Sequence, residues 1–171
     1  MNLENYIRNV SNFPKEGIEF KDISPLLENP SAFRYSIQQM ANHWQDKKVD
    51  KIGGFDARGF LFGTTLAYEM GLPFFMLRKP NKLPFDTISE SYDLEYGSNT
   101  SEMHTDSVQK GNRVLLVDDL LATGGTMSAG CSLVEKVGGS VVGCQFVIEL
   151  EQLNGRKLLD GYDVQTLLKY E

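Results

Sequence analysis

Cysteine and histidine are scarce in this sequence, with two of each in 171 residues. No apolar run approaches the ~18 residues needed to cross a bilayer. Cys131 and Cys144 lack C-x-x-C spacing, which excludes a disulfide framework and a paired-cysteine zinc site and leaves two reduced, packed thiols. The first ten residues carry Glu4 and Arg8 among their apolar side chains, so they lack the core of a secretory signal. A cytoplasmic protein with no membrane partner is the expectation. Basic residues are also in deficit: 17 Lys plus Arg stand against 23 Asp plus Glu, a formal net charge of −6. Coating a nucleic acid or holding to anionic lipid needs the opposite balance. Any anionic ligand must therefore be held by local arrangement rather than by the field of the whole molecule.

What remains is an ordinary globular composition, 41% hydrophobic and 23% charged. A chain of this size can bury roughly 70% of its unfolded surface as one domain, here residues 1–171. Leu3, Tyr6, Ile7 and Val10 recur at helical spacing, and Phe13-Pro14-Lys15-Glu16-Gly17 reads as a turn. Asn29 can cap a helix with Pro30 in its first turn and Phe33, Ile37, Met40 and Trp44 as its buried stripe. From Lys51 the pattern becomes strand, glycine turn, helix. Lys51 to Phe55 is a strand, Gly59 to Met70 a helix stopped by Gly71, and Pro73 to Leu77 the next strand. A polar stretch from Lys79 to about Thr105 follows, long enough to be a functional lid or disorder. Val114 to Val117 is the most hydrophobic strand, and Met127, Cys131, Val134 and Val137 give the next helix its buried face. Ser140 to Ile148 and Val164 to Leu168 complete the strands. Alternating strands and helices define an α/β fold whose mostly parallel sheet is covered on both faces.

The segment Val114-Leu115-Leu116-Val117-Asp118-Asp119-Leu120-Leu121-Ala122-Thr123-Gly124-Gly125-Thr126 carries most of the chemistry. A buried strand delivers two carboxylates, and a small-residue loop then opens a helix at the carboxyl edge of the sheet, where such folds bind ligands. Backbone N–H groups of Ala122, Thr123, Gly124, Gly125 and Thr126 can turn toward a phosphate, helped by the partial positive charge of the helix N-terminus. No lysine follows the glycines, so a triphosphatase loop is excluded and a monophosphate fits better. Asp118 and Asp119 accept hydrogen bonds when ionised, which suits sugar hydroxyls. Hydroxyls and one phosphate together describe ribose 5-phosphate. Asp56-Ala57-Arg58-Gly59 likewise leaves a strand and opens a helix, so its amides and the forked guanidinium of Arg58 can meet a diphosphate. Arg78, Lys79 and Lys82 concentrate positive charge in an otherwise acidic chain.

The thirteen-residue segment resembles the phosphoribosyl-diphosphate signature of the type I phosphoribosyltransferases, in the wording of their adenine-specific members. The resemblance continues through Phe13-Pro14, Gly17, Phe20 and Asp22-Ile23-Ser24-Pro25. It then takes in Asp56-Ala57-Arg58-Gly59-Phe60-Leu61-Phe62-Gly63, Arg78-Lys79-Pro80, Lys82-Leu83-Pro84 and Ser91-Tyr92-Asp93-Leu94-Glu95-Tyr96-Gly97. It implies transfer of a 5-phosphoribosyl group from phosphoribosyl diphosphate to adenine, giving AMP and diphosphate. It also implies a small N-terminal hood over about residues 1–30, a flexible catalytic loop over about 79–105, and a homodimer in which some loop cations serve the neighbouring subunit. Glu95 would handle the proton and Arg58 the leaving charge. Asp118 and Asp119 would hold ribose, and Ala122 to Thr126 the 5-phosphate. Asp56, Ala57, Arg58, Arg78, Lys79 and Lys82 would face the diphosphate, with Mg2+ held mainly by substrate and water rather than by the protein. Phe20, Lys21 and Leu150 would contact adenine. A non-proline cis peptide often occurs at the diphosphate loop of relatives.

Two hood positions depart from the commoner pattern: Glu19 stands where relatives usually have an apolar residue, and Lys21 where they have arginine. A hypoxanthine, guanine or xanthine phosphoribosyltransferase is the alternative within the class. A non-catalytic sensor of phosphoribosyl diphosphate is the alternative outside it, although it would need a DNA-binding module and a basic face.

Overall fold

The computed structural model describes residues 1–93 and 98–171. At the N-terminus a 3-10 turn, Leu3–Tyr6, leads into strand β1 (Arg8–Ser11), which pairs antiparallel with β2 (Glu19–Asp22). The helical spacing of Leu3, Tyr6, Ile7 and Val10 is therefore misleading beyond Tyr6. The hydrogen bonds of residues 8–11 go to a partner strand instead of their own turn, because Asn12 at φ 57° and Gly17 at φ 85° fold the chain back on itself. Such long-range pairing leaves no local periodic trace.

A short helix α1 (Ser24–Glu28) follows, started by Asp22, whose Oδ1 accepts from the Ser24 amide at 2.9 Å and its hydroxyl at 2.6 Å. These two bonds, with Arg8 as the further partner, hold the Asp22 carboxyl at about 2, below the ordinary 3.8. Helix α2 (Pro30–Trp44) begins as the sequence predicts, with the Asn29 side chain accepting from the Ala32 amide. Its stripe ends at Trp44, the single tryptophan, which is fully buried and donates from Nε1 to Gln145 at 2.7 Å.

Five strands form the central sheet in the order β4-β3-β7-β8-β9, every pair parallel: β3 (Lys51–Phe55), β4 (Phe74–Leu77), β7 (Arg113–Leu121), β8 (Ser140–Leu150) and β9 (Val164–Tyr170). Helix α3 (Gly59–Met70) covers one face with α2, and α4 (Gly125–Lys136) covers the other. The pleat of β7 divides the core, since Leu115 and Val117 enter the cluster with Trp44, Phe62 and Leu66, while Val114 and Leu116 enter that with Met127, Cys131 and Phe146. A strand buried on both faces has to be apolar at every position, which explains why this segment is so uniformly hydrophobic. Cys131 and Cys144 are both buried and free, their sulfurs 3.8 Å apart.

The polar stretch is more regular than its composition suggests. Strands β5 (Thr87–Asp93) and β6 (Ser98–His104) form an antiparallel ribbon, anchored where Lys136 of α4 reaches Glu90. Residues 94–97, including Glu95, lie outside the described residues.

One buried ion pair ties the last loop to the sheet. Glu149, at the end of β8, accepts from Arg156 at 2.6 and 2.8 Å, and this pairing holds its carboxyl below the ordinary value of 4.5. We expect Arg156→Ala to cost about 2 kcal/mol by leaving a nearly buried carboxylate without its main partner, a loss moderated because Arg156 is 40% exposed. A depressed folded-state value means that the pair stabilises fully above 4.5 and ceases to do so as pH falls through the folded value. Urea unfolding of wild type and variant at neutral and acid pH should show the difference shrinking in acid.

Candidate active site

Because all five central strands run the same way, the loops leaving β3, β4 and β7 emerge at one edge. With the end of β7 they enclose a cleft of ≈ 350 Å³ lined by Asp56, Ala57 and Arg58 after β3, Arg78 and Lys79 after β4, Asp118 and Asp119 in β7 itself and Thr126 in α4. Tyr92 and residues 99–101 of the ribbon close its other side. The carboxyl-edge expectation is met.

Strand β7 extends to Leu121, so the acid pair lies within the strand, where its geometry is fixed, and not beyond it. Asp119 is buried, 8% exposed, and its Oδ2 accepts from Arg58 Nε at 2.6 Å; Asp118 Oδ1 accepts from the Asp119 amide at 2.9 Å. Burial pushes the Asp118 carboxyl well above the ordinary 3.8, and the adjacent charge of Asp119 pushes it further. Donors or positive charge arriving at this pair relieve that strain. Gly59 is tightly placed here, since a Cβ on it would lie 2.8 Å from Asp118 Oδ1 and 3.0 Å from the Val117 carbonyl oxygen. The absence of a side chain lets the start of α3 pack onto the acid.

Arg58 joins three parts of the site. Besides its bond to Asp119, its guanidinium lies 5.6 Å from the Phe20 ring of the hood. The preceding Asp56-Ala57 peptide bond is cis. Asp56 in turn accepts from Arg78 Nε at 3.0 Å, and Arg78 also donates to the Lys82 carbonyl at 3.2 Å. Lys79 lines the cleft, whereas Lys82 is exposed and contributes only its backbone to these contacts.

Next to the cleft lies a smaller cavity of ≈ 60 Å³, lined by Ala122, Thr123, Gly124, Gly125 and Thr126 together with Asp118 and Met127. It accommodates one phosphate-sized group. Gly124 has φ 86° and opens α4, whose first amides have no intrahelical acceptor and face outward as donors. Two further residues, neither of them marked as a site residue by the sequence, support this loop. Gly155 is one: a Cβ there would lie 2.2 Å from the Ala122 carbonyl oxygen, so the loop rests directly on the backbone held by Glu149 and Arg156. Tyr92 is the other, its hydroxyl 2.9 Å from Thr126 Oγ1 and its ring against Gly125.

The three residues expected at a purine are not in the lining of the cleft, although Phe20 lies against Arg58, which is. Phe20 packs edge-on against Phe13 at 5.1 Å. Leu150 ends β8. Lys21 directs its ammonium to Asn9 at 2.9 Å and to Glu19 at 2.8 Å. Among the described residues, no group of three or more His, Cys, Asp or Glu side chains converges as a metal cage, and no helix is long and apolar enough to cross a membrane.

A parallel sheet that presents an acid pair, a phosphate-sized amide cradle and an arginine-bearing loop at one edge is the framework of a phosphoribosyl-transferring protein. Residues 22–169 match the phosphoribosyl transferase domain, and the chain belongs to that family. An adenine phosphoribosyltransferase of Clostridium botulinum is 52% identical over 170 residues, 99% of each chain. The crystal structure of the adenine phosphoribosyltransferase from Thermoanaerobacter pseudethanolicus superposes with a TM-score of 0.95 at 50% identity, covering 99% of this chain and 100% of that one. The Saccharomyces cerevisiae adenine phosphoribosyltransferase, complexed with adenine and an imino-altritol bisphosphate, gives a TM-score of 0.93 at 39% identity over 97% of this chain and 96% of that one. Within the family, the chain stands with the adenine phosphoribosyltransferases.

Proposed function

We propose that this protein transfers the 5-phosphoribosyl group of phosphoribosyl diphosphate to adenine, forming AMP and diphosphate in purine salvage. The observation that carries the reading is the adjacency of the acid pair and the amide cradle. Asp118 and Asp119 sit beside a phosphate-sized cavity, as ribose hydroxyls and a 5-phosphate on one sugar require. The adenine-specific assignment rests on the relatives, whose similarity runs through the hood as well as the sheet.

As the bond from ribose C1 to the diphosphate oxygen breaks, positive charge grows on the sugar and negative charge on the leaving group. A competent site stabilises both. Asp118 and Asp119 hold the ribose hydroxyls and face the cationic ring. Arg58, with Arg78, Lys79, Lys82 and the amides of Asp56 and Ala57, receives the diphosphate. The 5-phosphate is anchored by the Ala122 to Thr126 loop, and adenine lies between Phe20 and Leu150 under the hood segment that includes Lys21. N9 bonds to C1 while a ring nitrogen gives up a proton, for which Glu95 is the acceptor. Mg2+ would be held mainly by substrate oxygens and water, with the Asp118 and Asp119 carboxylates beside it in the same cleft as hard oxygen donors. Bound there, such an ion would supply positive charge against the leaving diphosphate.

Exposed apolar side chains support a homodimer: Tyr68 is 87%, Phe85 58% and Leu61 43% exposed. Sedimentation should give twice the chain mass.

A panel of purines tests the base assignment, since diphosphate release with hypoxanthine but not with adenine overturns it. Glu95→Gln should lower turnover by about 10²-fold or more while leaving phosphoribosyl diphosphate affinity nearly unchanged. Single-turnover kinetics with calorimetric affinities separates the two, and wild-type turnover in the variant removes Glu95 from catalysis.

A further inference from the structure

The contacts of Lys21 lead from the hood to the other end of the chain. Its side chain is only 10% exposed, although it belongs to a two-stranded ribbon standing apart from the central sheet. The ammonium is bonded to Asn9, the residue directly opposite it in the ribbon, and to Glu19, and it lies 4.3 Å above the ring centroid of Tyr170. Tyr170 is the last residue of β9, in register with Leu150 of β8. Successive side chains of a strand face opposite ways. Lys21 therefore grips Tyr170 on one face of the ribbon, while Phe20, one residue earlier, meets Phe13 and Arg58 on the other.

We propose that Tyr170 is a positioning residue for the base half of the site, clamping the hood through Lys21 so that Phe20 is held at the height set by Leu150. The inference rests on the reading of Phe20 and Leu150 as purine contacts. Glu19 and Lys21, the two positions where the chain departs from its relatives' commoner pattern, become one unit. The carboxylate of Glu19 partly neutralises the ammonium and fixes its direction, so this cation serves the scaffold. A cation over a desolvated aromatic face is a modest but directional attraction. It orders a ribbon that is too small to be stable alone.

Two substitutions separate the ring from mere bulk. Tyr170→Leu keeps apolar volume and removes the π face, whereas Tyr170→Phe keeps the face and removes only the hydroxyl. In Tyr170→Leu we expect the amides of residues 19–22 to exchange hydrogen faster in the substrate-free protein. The KM for adenine should rise about three- to tenfold, with the KM for phosphoribosyl diphosphate and kcat within about twofold of wild type. Tyr170→Phe should behave as wild type in every readout. Unchanged hood exchange, an unchanged adenine KM, equal increases in both KM values, or equal effects of the two substitutions would each overturn the clamp. The exchange arm needs no substrate, so it decides the clamp even if wild type turns over a different purine, an outcome that would instead overturn the proposed function.

Discussion

Gly124→Ala should weaken binding of phosphoribosyl diphosphate by about a hundredfold, a large loss for the addition of one methyl group. Two costs combine. At φ 86° an alanine occupies the left-handed region at roughly 1–2 kcal/mol. In addition, its Cβ would lie 2.4 Å from the Gly155 carbonyl oxygen, which belongs to backbone and has no rotamer by which to retreat. Either the cradle opens or the 151–159 segment shifts, and both misdirect the amides that meet the phosphate. At about 1.4 kcal/mol per tenfold, the strain and the lost donors together account for two orders of magnitude. Calorimetric titration with phosphoribosyl diphosphate reads this directly, and an unchanged affinity would mean that the loop is only a turn into α4. The neighbouring Gly125→Val should also weaken binding, because a Cβ there meets the Tyr92 ring at 2.8 Å, a side chain that can yield at some cost.

Arg58→Ala should reduce kcat/KM by about 10²- to 10³-fold, the range for deleting one charged donor aimed at developing charge. The geometry adds a second effect. Removing the guanidinium leaves Asp119, a buried carboxylate beside a second acid, without the partner that donates to it at 2.6 Å. Arg58→Lys should not restore activity, since an ammonium cannot both replace Nε at Asp119 and present a fork to a diphosphate. Steady-state kinetics on both variants checks this, and near-wild-type activity of the lysine variant would reduce Arg58 to a simple counter-charge.

These results also measure what local sequence can reveal. The strand from Lys51, its helix to Met70, and the run from Val114 through Thr126 were legible because burial, the strand-to-helix change and the glycines are all written within a dozen residues. The hood was not, because β1 is defined by pairing with residues 19–22, and Leu3, Tyr6, Ile7 and Val10 imitate a helical stripe. The ribbon was hidden for a related reason: Thr87–Asp93 and Ser98–His104 are mostly polar, so their alternation carries little hydrophobic contrast. Site residues divide the same way. Asp118, Asp119 and the phosphate loop announce themselves, but the Arg58–Asp119 bond spans 61 positions, and Gly155 matters only through the loop that lies against it.

Trp44 gives the molecule a built-in reporter. The chain has one indole, fully buried, hydrogen-bonded to Gln145 and absent from the lining of the ligand cleft. Its emission therefore follows the integrity of the α2 side of the core and stays indifferent to occupancy of the carboxyl edge. A spectroscopist can thus watch unfolding in one channel and titrate ligand by heat in another, so a variant that binds poorly is told apart from one that has come undone without introducing any label.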